Sequence, residues 1–586
     1  MKFNILNRQV RSFPAAYVAL LPVAMLTLWC HDVKAQAAPA PAIPSAGQVL
    51  RELEPSGRAA PAPATAPVLR IVPTTPGTTA SASAMDTTPI AVKSIELIGN
   101  TVFDTATLRA LVVDAEGSTQ TFEQLNALAQ RITDYYRANG QPLASAYLPV
   151  QTMNGGVLRI SVVEAVYGRI TVDNRSRMST ASLKAYLSPL QPGQLITQAP
   201  LDRSLLLLRE LAGIDVSAEA RPGILPGSSD LTITAVDIER ISGTFSLDNQ
   251  GSAGTGRGRA IGAVELSNQF GRGETVSAVA VTSGQGMNYG RLSLQMPVNS
   301  SGTRVGVGYA RLNYVLGDVF ASLKAYGSAG VLDGFVQHAL VRSLSTTVNV
   351  DLRLEHKVLQ DRVDLNGTRT DRTLTSATTG LNAELRDGFG GGGNTSVALG
   401  VSAGRVAFND ATAQALDQST TGAHTQGAYG HVNLTLARSQ SLGGVPYLAR
   451  TTLFASLRAQ VASTNLDLSE QFSVAGPQGV RGYDVNALSG AQGYVASVEL
   501  RQLLAQNTSG AWQAKAFVDM GQATVYKNVF TSVPNTASMR GIGLGLNWAA
   551  PSGWNAQLSL ARPVGPSPAI AAERNTRVWL MVAGKF

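Results

Sequence analysis

From about residue 240 to Phe586, apolar and polar side chains alternate residue by residue, and turn-forming residues interrupt this alternation at regular intervals. A period of two is typical of β-strands that present a different surface on each face. We count sixteen such runs, at about 22 residues for each strand with its connection. Examples are Arg257–Ser267, Thr275–Thr282, Thr303–Leu312, Thr346–His356, Thr395–Phe408 and Ala514–Gln522.

The connections between these runs are alternately short and long. Asn268–Gly273 and Ala549–Gly553 are short, whereas Asp410–Thr425 and Thr464–Gly490 are long. Outer-membrane barrels combine short periplasmic turns with long outer loops. A soluble sandwich also alternates, but it would not need sixteen strands with this turn asymmetry. We therefore predict a transmembrane β-barrel of about 16 antiparallel strands over residues 240–586.

The composition excludes several other classes. Only 15% of the 586 residues are charged, against about 25% in average soluble proteins, which argues against an acidic disordered chain or a coiled coil. Beyond the first 35 residues no apolar run reaches the length of about 18 residues that a membrane helix needs. The net charge of +8 is not gathered into a basic stripe with interleaved aromatic residues, so no nucleic acid is predicted as a partner.

Residues 1–35 are predicted to be a signal peptide for export. Lys2, Arg8 and Arg11 precede the apolar stretch Phe13–Trp29, and Ala35 ends a small-residue cleavage site. The single cysteine of the sequence, Cys30, lies within this segment, so the mature chain has neither a disulfide framework nor a Cys-based zinc site. A lipoprotein anchor at Cys30 is disfavoured by the bulky Trp29 before it.

Residues 36–89 form a linker rich in Ala, Pro, Thr and Ser, a composition that cannot bury a core. Ala46–Glu54 is the exception, since it can form one or two helical turns and is a candidate for a short plug helix in the barrel. Propensity alone favours solvated linker here, because isolated helices of this length are marginal in water.

An internal repeat with an offset of 75 residues follows the linker. Ile95 aligns with Ile170, and Thr105–Leu111 aligns with Thr180–Tyr186. Each copy has the predicted order β-α-α-β-β, which gives two α+β domains, at 90–165 and 166–239.

Two enzyme-like motifs occur in the wrong structural context. Gly388–Gly393 matches a dinucleotide-binding pattern but lies between two predicted barrel strands. Gly400–Gly404 matches a nucleophile elbow but lies inside an alternating strand. No histidine pairs with a carboxylate at ligand spacing on a helix. We therefore predict no catalytic residues, no metal site and no cofactor.

A charged residue on the inner face of a predicted strand points to a different kind of site. Alternation puts Phe517 and Asp519 on the lumen side, where a buried carboxylate needs a partner. Arg481, in the longest loop, could be that partner if the loop folds inward. The alternative is an exposed loop arginine and a solvated carboxylate.

The loop motif Val480-Arg481-Gly482-Tyr483 and the strand motif Phe517-x-Asp519-x-Gly521 together resemble those of the two-partner secretion transporters, the TpsB or haemolysin-activator family. Tyr136–Gly140, Leu148–Gln151 and Leu247–Gly251 are also similar to segments of that family. The resemblance implies that the repeats are two POTRA domains in the periplasm. It also implies that the two motifs form a lock between loop and barrel.

The same resemblance implies a function and a set of partners. The POTRA domains would capture an unfolded exoprotein, haemolysin- or adhesin-like, by strand addition, and the exoprotein would cross the outer membrane of a Gram-negative bacterium through the barrel. Outer-membrane lipid surrounds the barrel, and the barrel-assembly machinery is expected to recognise Phe586, at the end of a lipid-facing row. An assembly insertase of the same superfamily and a passive porin are the alternatives.

Overall fold

The computed structural model describes residues 43–53, 69–71, 89–284, 286–565 and 575–586. The predicted signal peptide and most of the predicted linker lie outside the described residues. None of the described helices has both the length and the apolar character needed to cross a membrane.

Residues from Ile241 onward form a closed barrel of sixteen antiparallel strands, which confirms the predicted fold class. The first and last strands close it, with Thr244 opposite Lys585 and Asp248 opposite Met581. The barrel strands are β10 Ile241–Asp248, β11 Arg259–Ser267, β12 Thr275–Thr282, β13 Met287–Pro297, β14 Thr303–Val315, β15 Ala325–Arg342, β16 Thr346–Val363, β17 Thr368–Asp387, β18 Gly393–Phe408, β19 Gly427–Ser441, β20 Thr451–Ala462, β23 Gln492–Asn507, β24 Gly510–Thr524, β25 Thr536–Ala549, β26 Asn555–Pro563 and β27 Arg577–Lys585.

The two faces of the barrel differ as the alternation predicts. In β27 the side chains of Val578 and Leu580 are 49% and 45% exposed on the outside, whereas Trp579 between them is 4% exposed and faces the lumen. Gly388–Gly393 forms the tight turn between β17 and β18, and Gly400–Gly404 lies within β18. Neither glycine motif is therefore followed by the α-helix that a dinucleotide-binding loop or a nucleophile elbow requires.

The first N-terminal domain packs two helices, α2 Thr105–Ala110 and α3 Phe122–Ala138, on a small sheet. In that sheet β3 Ser94–Ile98 runs parallel to β6 Val157–Val163, and β5 Ser145–Tyr147 pairs with the other edge of β6. A separate pair, β2 Ile90–Val92 with β4 Ser118–Gln120, adds to the predicted β-α-α-β-β order. The side chain of Thr121 caps α3 in a reciprocal capping box with Gln124.

The second domain repeats this plan with helices α4 Thr180–Tyr186 and α5 Gln198–Arg209. Its strands are β7 Val166–Arg175, β8 Ile214–Pro222 and β9 Ser228–Asp237. A fourth strand comes from the linker: β1 Leu69–Ile71 pairs in parallel with β8, so the sheet order is β1-β8-β9-β7. The linker strand was not predicted from the sequence.

Helix α5 attaches the second domain to the turns at one end of the barrel. The guanidinium of Arg203 donates hydrogen bonds to the carbonyls of Ser301 and Ala339, at 2.9 and 2.7 Å. Glu210, just beyond the helix, accepts a 2.6 Å hydrogen bond from Arg342. Gly302 has a φ of +93°, and a Cβ there would meet the side chain of Leu207 at 2.8 Å. These contacts hold the domain directly against the barrel.

A helix from the linker, α1 Ala46–Leu53, lies inside the barrel. Ala46 and Val49 are fully buried and Leu50 is 5% exposed, against inward-facing barrel residues such as Leu312 and Leu359. Solvated linker was the expectation from propensity, and it is wrong for this segment. Burial of its apolar face in the lumen stabilises the helix, which its length alone cannot do.

The carboxylate of Glu164 organises the loop before α2 in the first domain. It accepts hydrogen bonds of 2.7 Å from the backbone amides of Thr101 and Val102 and from the hydroxyl of Tyr136. Burial opposes ionisation, but a hydrogen bond from the hydroxyl of Thr101, together with these three, outweighs it and holds the pKa of Glu164 below its usual value.

We expect the first domain to lose stability in acid through Glu164. A lowered carboxyl pKa contributes stability above the unfolded value of about 4.5, and this contribution is lost as pH falls through the folded pKa. Glu164→Gln should lower the free energy of unfolding around this loop by about 1 kcal/mol at pH 7, a modest amount because solvent screens the hydrogen bonds. It should also flatten the dependence of this stability on pH. Hydrogen exchange of Thr101 and Val102 in the full chain measures both effects. The exposed Glu96→Gln is the control, and equal pH profiles for the two variants would contradict the assignment.

Candidate functional site

The long connection between β20 and β23, residues 463–491, folds into the barrel, and we call it the inward loop. It contains two short strands, β21 Phe472–Ser473 and β22 Ser489–Gly490, which pair with each other. Val474 and Val480 are fully buried and Tyr483 is 4% exposed, in one apolar cluster with wall residues such as Met539. These side chains of the loop are thus as buried as those of a protein core.

A tight backbone turn presents the Val480–Tyr483 motif to the wall. The amide of Val480 donates to the carbonyl of Val474 at 2.8 Å, and the amide of Tyr483 donates to the carbonyl of Val480 at 3.2 Å. Gly476 adopts a φ of +100°, which other residues rarely do. The turn leaves the Arg481 side chain directed at strands β23 and β24.

Arg481 and Asp519 make a buried, multiply hydrogen-bonded ion pair. Nε and Nη2 of Arg481 each lie 2.7 Å from a different carboxylate oxygen of Asp519, and the backbone amide of Arg481 donates to the same carboxylate at 3.1 Å. Arg481 is 4% exposed and Asp519 is 0% exposed. The two-pronged geometry is the strongest arrangement available to this pair of side chains.

Two further wall residues, Glu499 and Ser497, complete the set of hydrogen-bond partners of Arg481. Glu499 accepts a 2.6 Å hydrogen bond from Nη1 of Arg481 and a 2.8 Å hydrogen bond from Arg501. The hydroxyl of Ser497 donates to Asp519 at 2.7 Å and accepts from Arg481 at 3.1 Å. Each nitrogen of the guanidinium therefore has a hydrogen-bond partner, which is the condition under which a buried charge is tolerated.

Aromatic side chains enclose the pair on two sides. The guanidinium carbon of Arg481 lies 3.3 Å from the centroid of the Phe517 ring, which adds a cation–π attraction. The indole of Trp579 on β27 donates to the backbone carbonyl of Arg481 at 2.8 Å. Strands β23, β24 and β27 therefore all hold this one loop residue.

Two glycines of the motifs allow this close approach. A Cβ at Gly482 would lie 2.8 Å from the backbone nitrogen of Pro563 on β26. A Cβ at Gly521 would lie 2.5 Å from the side chain of Val474 in the loop. Any larger residue at either position would push the loop away from the wall.

The structure brings together seven of the eight site residues predicted from the sequence. Val480, Arg481, Gly482, Tyr483, Phe517, Asp519 and Gly521 all lie where the inward loop meets the wall. Phe586 lies apart, at the end of the barrel where the second domain attaches, and it exchanges backbone hydrogen bonds with Gly243 across the closing seam.

Sequence reasoning missed Ser497 and Glu499. The signal was present, because Ser497, Glu499 and Arg501 alternate with apolar residues in one strand and so share its inner face. The sequence did not show that this face lies opposite Asp519, which depends on the register Ser497↔Asp519 between β23 and β24.

The inward loop also holds helix α1. Gln471 and Ser489 of the loop both accept hydrogen bonds from Arg51, and Asn486 donates to Glu52. A Cβ at Gly47 would lie 2.8 Å from the backbone nitrogen of Ser469. The inward loop therefore contacts the barrel wall around Asp519 on one side and helix α1 on the other.

A second group of charges fixes the other end of α1 and the base of the loop. Asp361 on β16 accepts from the backbone amide of Ala46 at 2.7 Å and from Arg372 at 2.8 Å. Arg372 also pairs with Asp467 of the loop at 2.6 Å, and Glu470 pairs with Lys357 at 3.0 Å. Helix, loop and wall are joined by polar contacts that can be exchanged for water.

Among the residues that the structure describes, no group of three or more His, Cys, Asp and Glu side chains is arranged to hold a metal ion. The side chains of the site interact through ion pairs and hydrogen bonds.

We expect loss of Arg481 to release the inward loop while the barrel persists. Breaking such a pair costs about 3–5 kcal/mol because the partner charge is stranded, and the strand ladder does not depend on it. In an Ala475→Cys background the thiol is buried, since Ala475 is 6% exposed. Adding Arg481→Ala should speed its labelling by a membrane-impermeant maleimide at least tenfold. Asp519→Ala should do less, because Glu499 still holds Arg481.

Arg353→Ala provides a matched control, because Arg353 pairs at 3.0 Å with Asp333 on the barrel wall away from the loop. Its labelling rate should equal that of the parent. Equal labelling in the Arg481→Ala variant would show that the ion pair does not anchor the loop.

A closed sixteen-stranded barrel preceded by two small α+β domains, with a long loop anchored inside it, defines a class of outer-membrane β-barrel proteins. Residues 227–548, more than half of the chain, match the family model described as haemolysin secretion/activation protein ShlB/FhaC/HecB. Residues 90–165 match the ShlB-type POTRA domain. The chain belongs to this family of two-partner secretion transporters, outer-membrane translocators whose members are transporters and not enzymes.

Two relatives show how far the similarity extends. The heme/hemopexin transporter protein HuxB of Haemophilus influenzae is 24% identical over 457 residues, 76% of this chain and 79% of HuxB. The outer membrane transporter CdiB of Escherichia coli is 25% identical over 303 residues, 50% of each chain.

Solved structures share the fold. That of CdiB from Escherichia coli has a TM-score of 0.62 at 21% identity, over 88% of this chain and 93% of CdiB. That of BamA from Haemophilus ducreyi lacking POTRA domains 1–3 has a TM-score of 0.53 at 14% identity, over 85% of this chain and 100% of that truncated chain. At these identities the likeness concerns architecture alone.

Proposed function

We propose that this transporter recognises one unfolded partner exoprotein through its N-terminal domains in the periplasm and secretes it through the barrel. The observation that carries this proposal is the content of the lumen. The barrel is filled by two segments of its own chain, α1 and the inward loop, which are held by hydrogen bonds and ion pairs as well as by apolar packing. The polar contacts among them can be replaced by water or by a passing polypeptide.

The cargo in this proposal moves as an extended chain. A barrel of sixteen strands has a lumen wide enough for one extended polypeptide once its filling moves aside. The second domain is attached at the barrel end through Arg203 and Glu210, so captured chain is delivered next to the entrance. Folding of the exoprotein outside the cell would supply the driving force.

The motif residues have a defined role in this scheme. We infer that Val480–Tyr483 with Phe517, Asp519 and Gly521 form a lock that keeps the inward loop against the wall. While the inward loop is held against the wall, it provides the surface that α1 binds. It also forms one fixed side of the path that the exoprotein takes through the lumen. We also propose the domain division 1–35, 36–89, 90–165, 166–239 and 240–586, with 90–239 as the two POTRA domains.

Secretion should depend on the lock. Arg481→Ala and Asp519→Ala are expected to reduce release of the exoprotein at least tenfold while barrel levels stay near normal. The double variant should be little worse than Arg481→Ala alone, because the two residues act as one unit. The assay compares culture supernatants of the deletion strain, the wild type and each variant, with Arg353→Ala as control.

The deletion strain also separates the candidate functions. Loss of one large protein from the supernatant supports the transporter. Loss of many outer-membrane proteins would instead indicate an assembly insertase, and an unchanged supernatant with altered small-solute uptake would indicate a porin. Effects of the two alanine variants that simply add would argue against a lock.

Phe586 is proposed as the signal that the barrel-assembly machinery reads. Its deletion should lower the amount of barrel in the outer membrane while export to the periplasm continues. Phe586 also covers Gly243, where a Cβ would lie 2.2 Å from its ring. Gly243→Ala therefore disturbs this packing but keeps the terminal aromatic residue, and should leave barrel levels near normal. Equal losses in the two variants would assign Phe586 to seam packing instead.

A further inference from the structure

A groove crosses strands β10–β14 on one face of the barrel wall. One position from each strand falls in a row through the pairs Phe245↔Gly262, Gly262↔Ala280, Ala280↔Gly290 and Gly290↔Arg311. The three small residues in the middle leave a space of about 490 Å³ between the larger side chains of Phe245 and Arg311. A Cβ at Gly262 or Gly290 would meet no atom from another part of the described chain within 4 Å. The groove thus exists because the middle of the row lacks large side chains.

This groove faces away from the lumen. Ala310 and Leu312, on either side of Arg311, are buried inside the barrel in the cluster that packs against α1. Successive residues of a strand point to opposite faces, so Arg311 points outward, as do the exposed Val307 and Tyr309 of the same strand. The groove therefore opens on the surface of the barrel that lipid covers.

Polar side chains border the end of the groove that lies farther from the second domain. They are Arg311, Thr282, Asn288 and Asn313. The two asparagines also border a second cavity of about 360 Å³, which is lined as well by Ser328, Gln360 and Arg362. The groove therefore runs from an apolar part into a polar part.

Arg311 has hydrogen-bonding capacity to spare. Its Nη2 donates to the hydroxyl of Ser328 at 3.2 Å, and that hydroxyl donates to the side-chain oxygen of Gln360 at 3.2 Å. Within the part of the chain that the structure describes, no carboxylate forms an ion pair with Arg311, whereas Arg362 is paired with Asp371 at 2.6 Å. A guanidinium has five N–H donors. Arg311 can therefore bind an anion while Ser328 keeps its side chain in position.

The depth of Arg311 in the membrane follows from its place in β14. It lies eight residues beyond Thr303, where β14 leaves the turn that contacts Arg203 of the second domain. With about 3.4 Å per residue and a strand tilt of about 40°, Arg311 lies about 20 Å above that turn, near the top of an apolar band about 25 Å tall. If the second domain lies in the periplasm, as proposed above, this boundary belongs to the outer leaflet.

We propose that the groove binds a phosphorylated glycolipid of the outer leaflet, with an acyl chain along Gly262, Ala280 and Gly290 and a phosphate on Arg311. The outer leaflet of a bacterial outer membrane is built from a lipid of this class, whose glucosamine units carry phosphates and amide-linked acyl chains. Arginine binds phosphate through two parallel N–H···O bonds, and asparagine side chains both donate to and accept from sugar hydroxyls and amides. The inference goes beyond secretion, and only the choice of leaflet rests on the proposed function.

Lipid retention by the full-length chain tests the site. The protein is reconstituted in nanodiscs of phosphatidylcholine with bis-phosphorylated, hexa-acylated lipid A, extracted into detergent and weighed by native mass spectrometry. Wild type should retain one lipid A. Arg311→Gln should lower its occupancy at least fivefold by removing the phosphate ligand, and Gly290→Leu should do so by filling the groove.

Two variants on the same outer surface are the matched controls. Arg405 on β18 is exposed beside the buried Val406, and Gly334 on β15 lies opposite the outward Val307, but neither lines either cavity. Arg405→Gln and Gly334→Leu should retain lipid A as the wild type does. Equal losses in Arg405→Gln and Arg311→Gln would indicate general attraction to surface charge and would overturn the site.

Thermal unfolding in the same nanodiscs gives an independent measurement, because a ligand that binds the folded chain raises its midpoint. Lipid A should raise the midpoint of the wild type and leave that of Arg311→Gln unchanged. Equal retention of phosphatidylglycerol, or release of lipid A by inorganic phosphate, would overturn the assignment to a glycolipid. A chain that retains lipid A but secretes no exoprotein would contradict the proposed function and support this site.

Discussion

Every backbone amide and carbonyl at membrane depth must find a partner within the protein, because lipid offers none. In this chain the requirement is met by sixteen antiparallel strands that close on themselves through the pairing of β10 with β27. Closure leaves no open edge and encloses a lumen that water can enter. The polar inner face, the filled interior and the seam at Phe586 are all consequences of that closure.

A polar lumen allows charged contacts at membrane depth. In this chain such contacts hold α1 and the inward loop inside the barrel. Arg481 is bound by Asp519, Glu499 and Ser497 on the wall. A buried charge pair of this kind adds little stability compared with apolar packing, but it fixes one position of the loop and penalises all others. The inward loop in turn contacts α1, so the wall lock, the loop and the helix form one continuous set of contacts.

The linker has two structured segments in two different places. Residues 46–53 fill the barrel and residues 69–71 lie on the sheet of the second domain. Both are short, and neither has the propensity to form its structure in isolation. Each is stabilised by a surface that a distant part of the chain provides, which is why the composition of the linker favoured solvated chain. The same dependence makes both segments easy to release.

The sequence by itself determined the barrel, its strand number, the internal repeat and the lumen side of Asp519, because these follow from periods of two and of 75 residues that local reading detects. It also suggested Arg481 as the partner of Asp519, through two motifs that resemble those of a known family, although the residues alone left an exposed arginine as the alternative. Tertiary structure alone decided that Glu499 and Ser497 share the site, through the register of β23 with β24. It likewise decided that α1 and β1 form at all, since pairing and burial between segments far apart in the chain leave no local period to read.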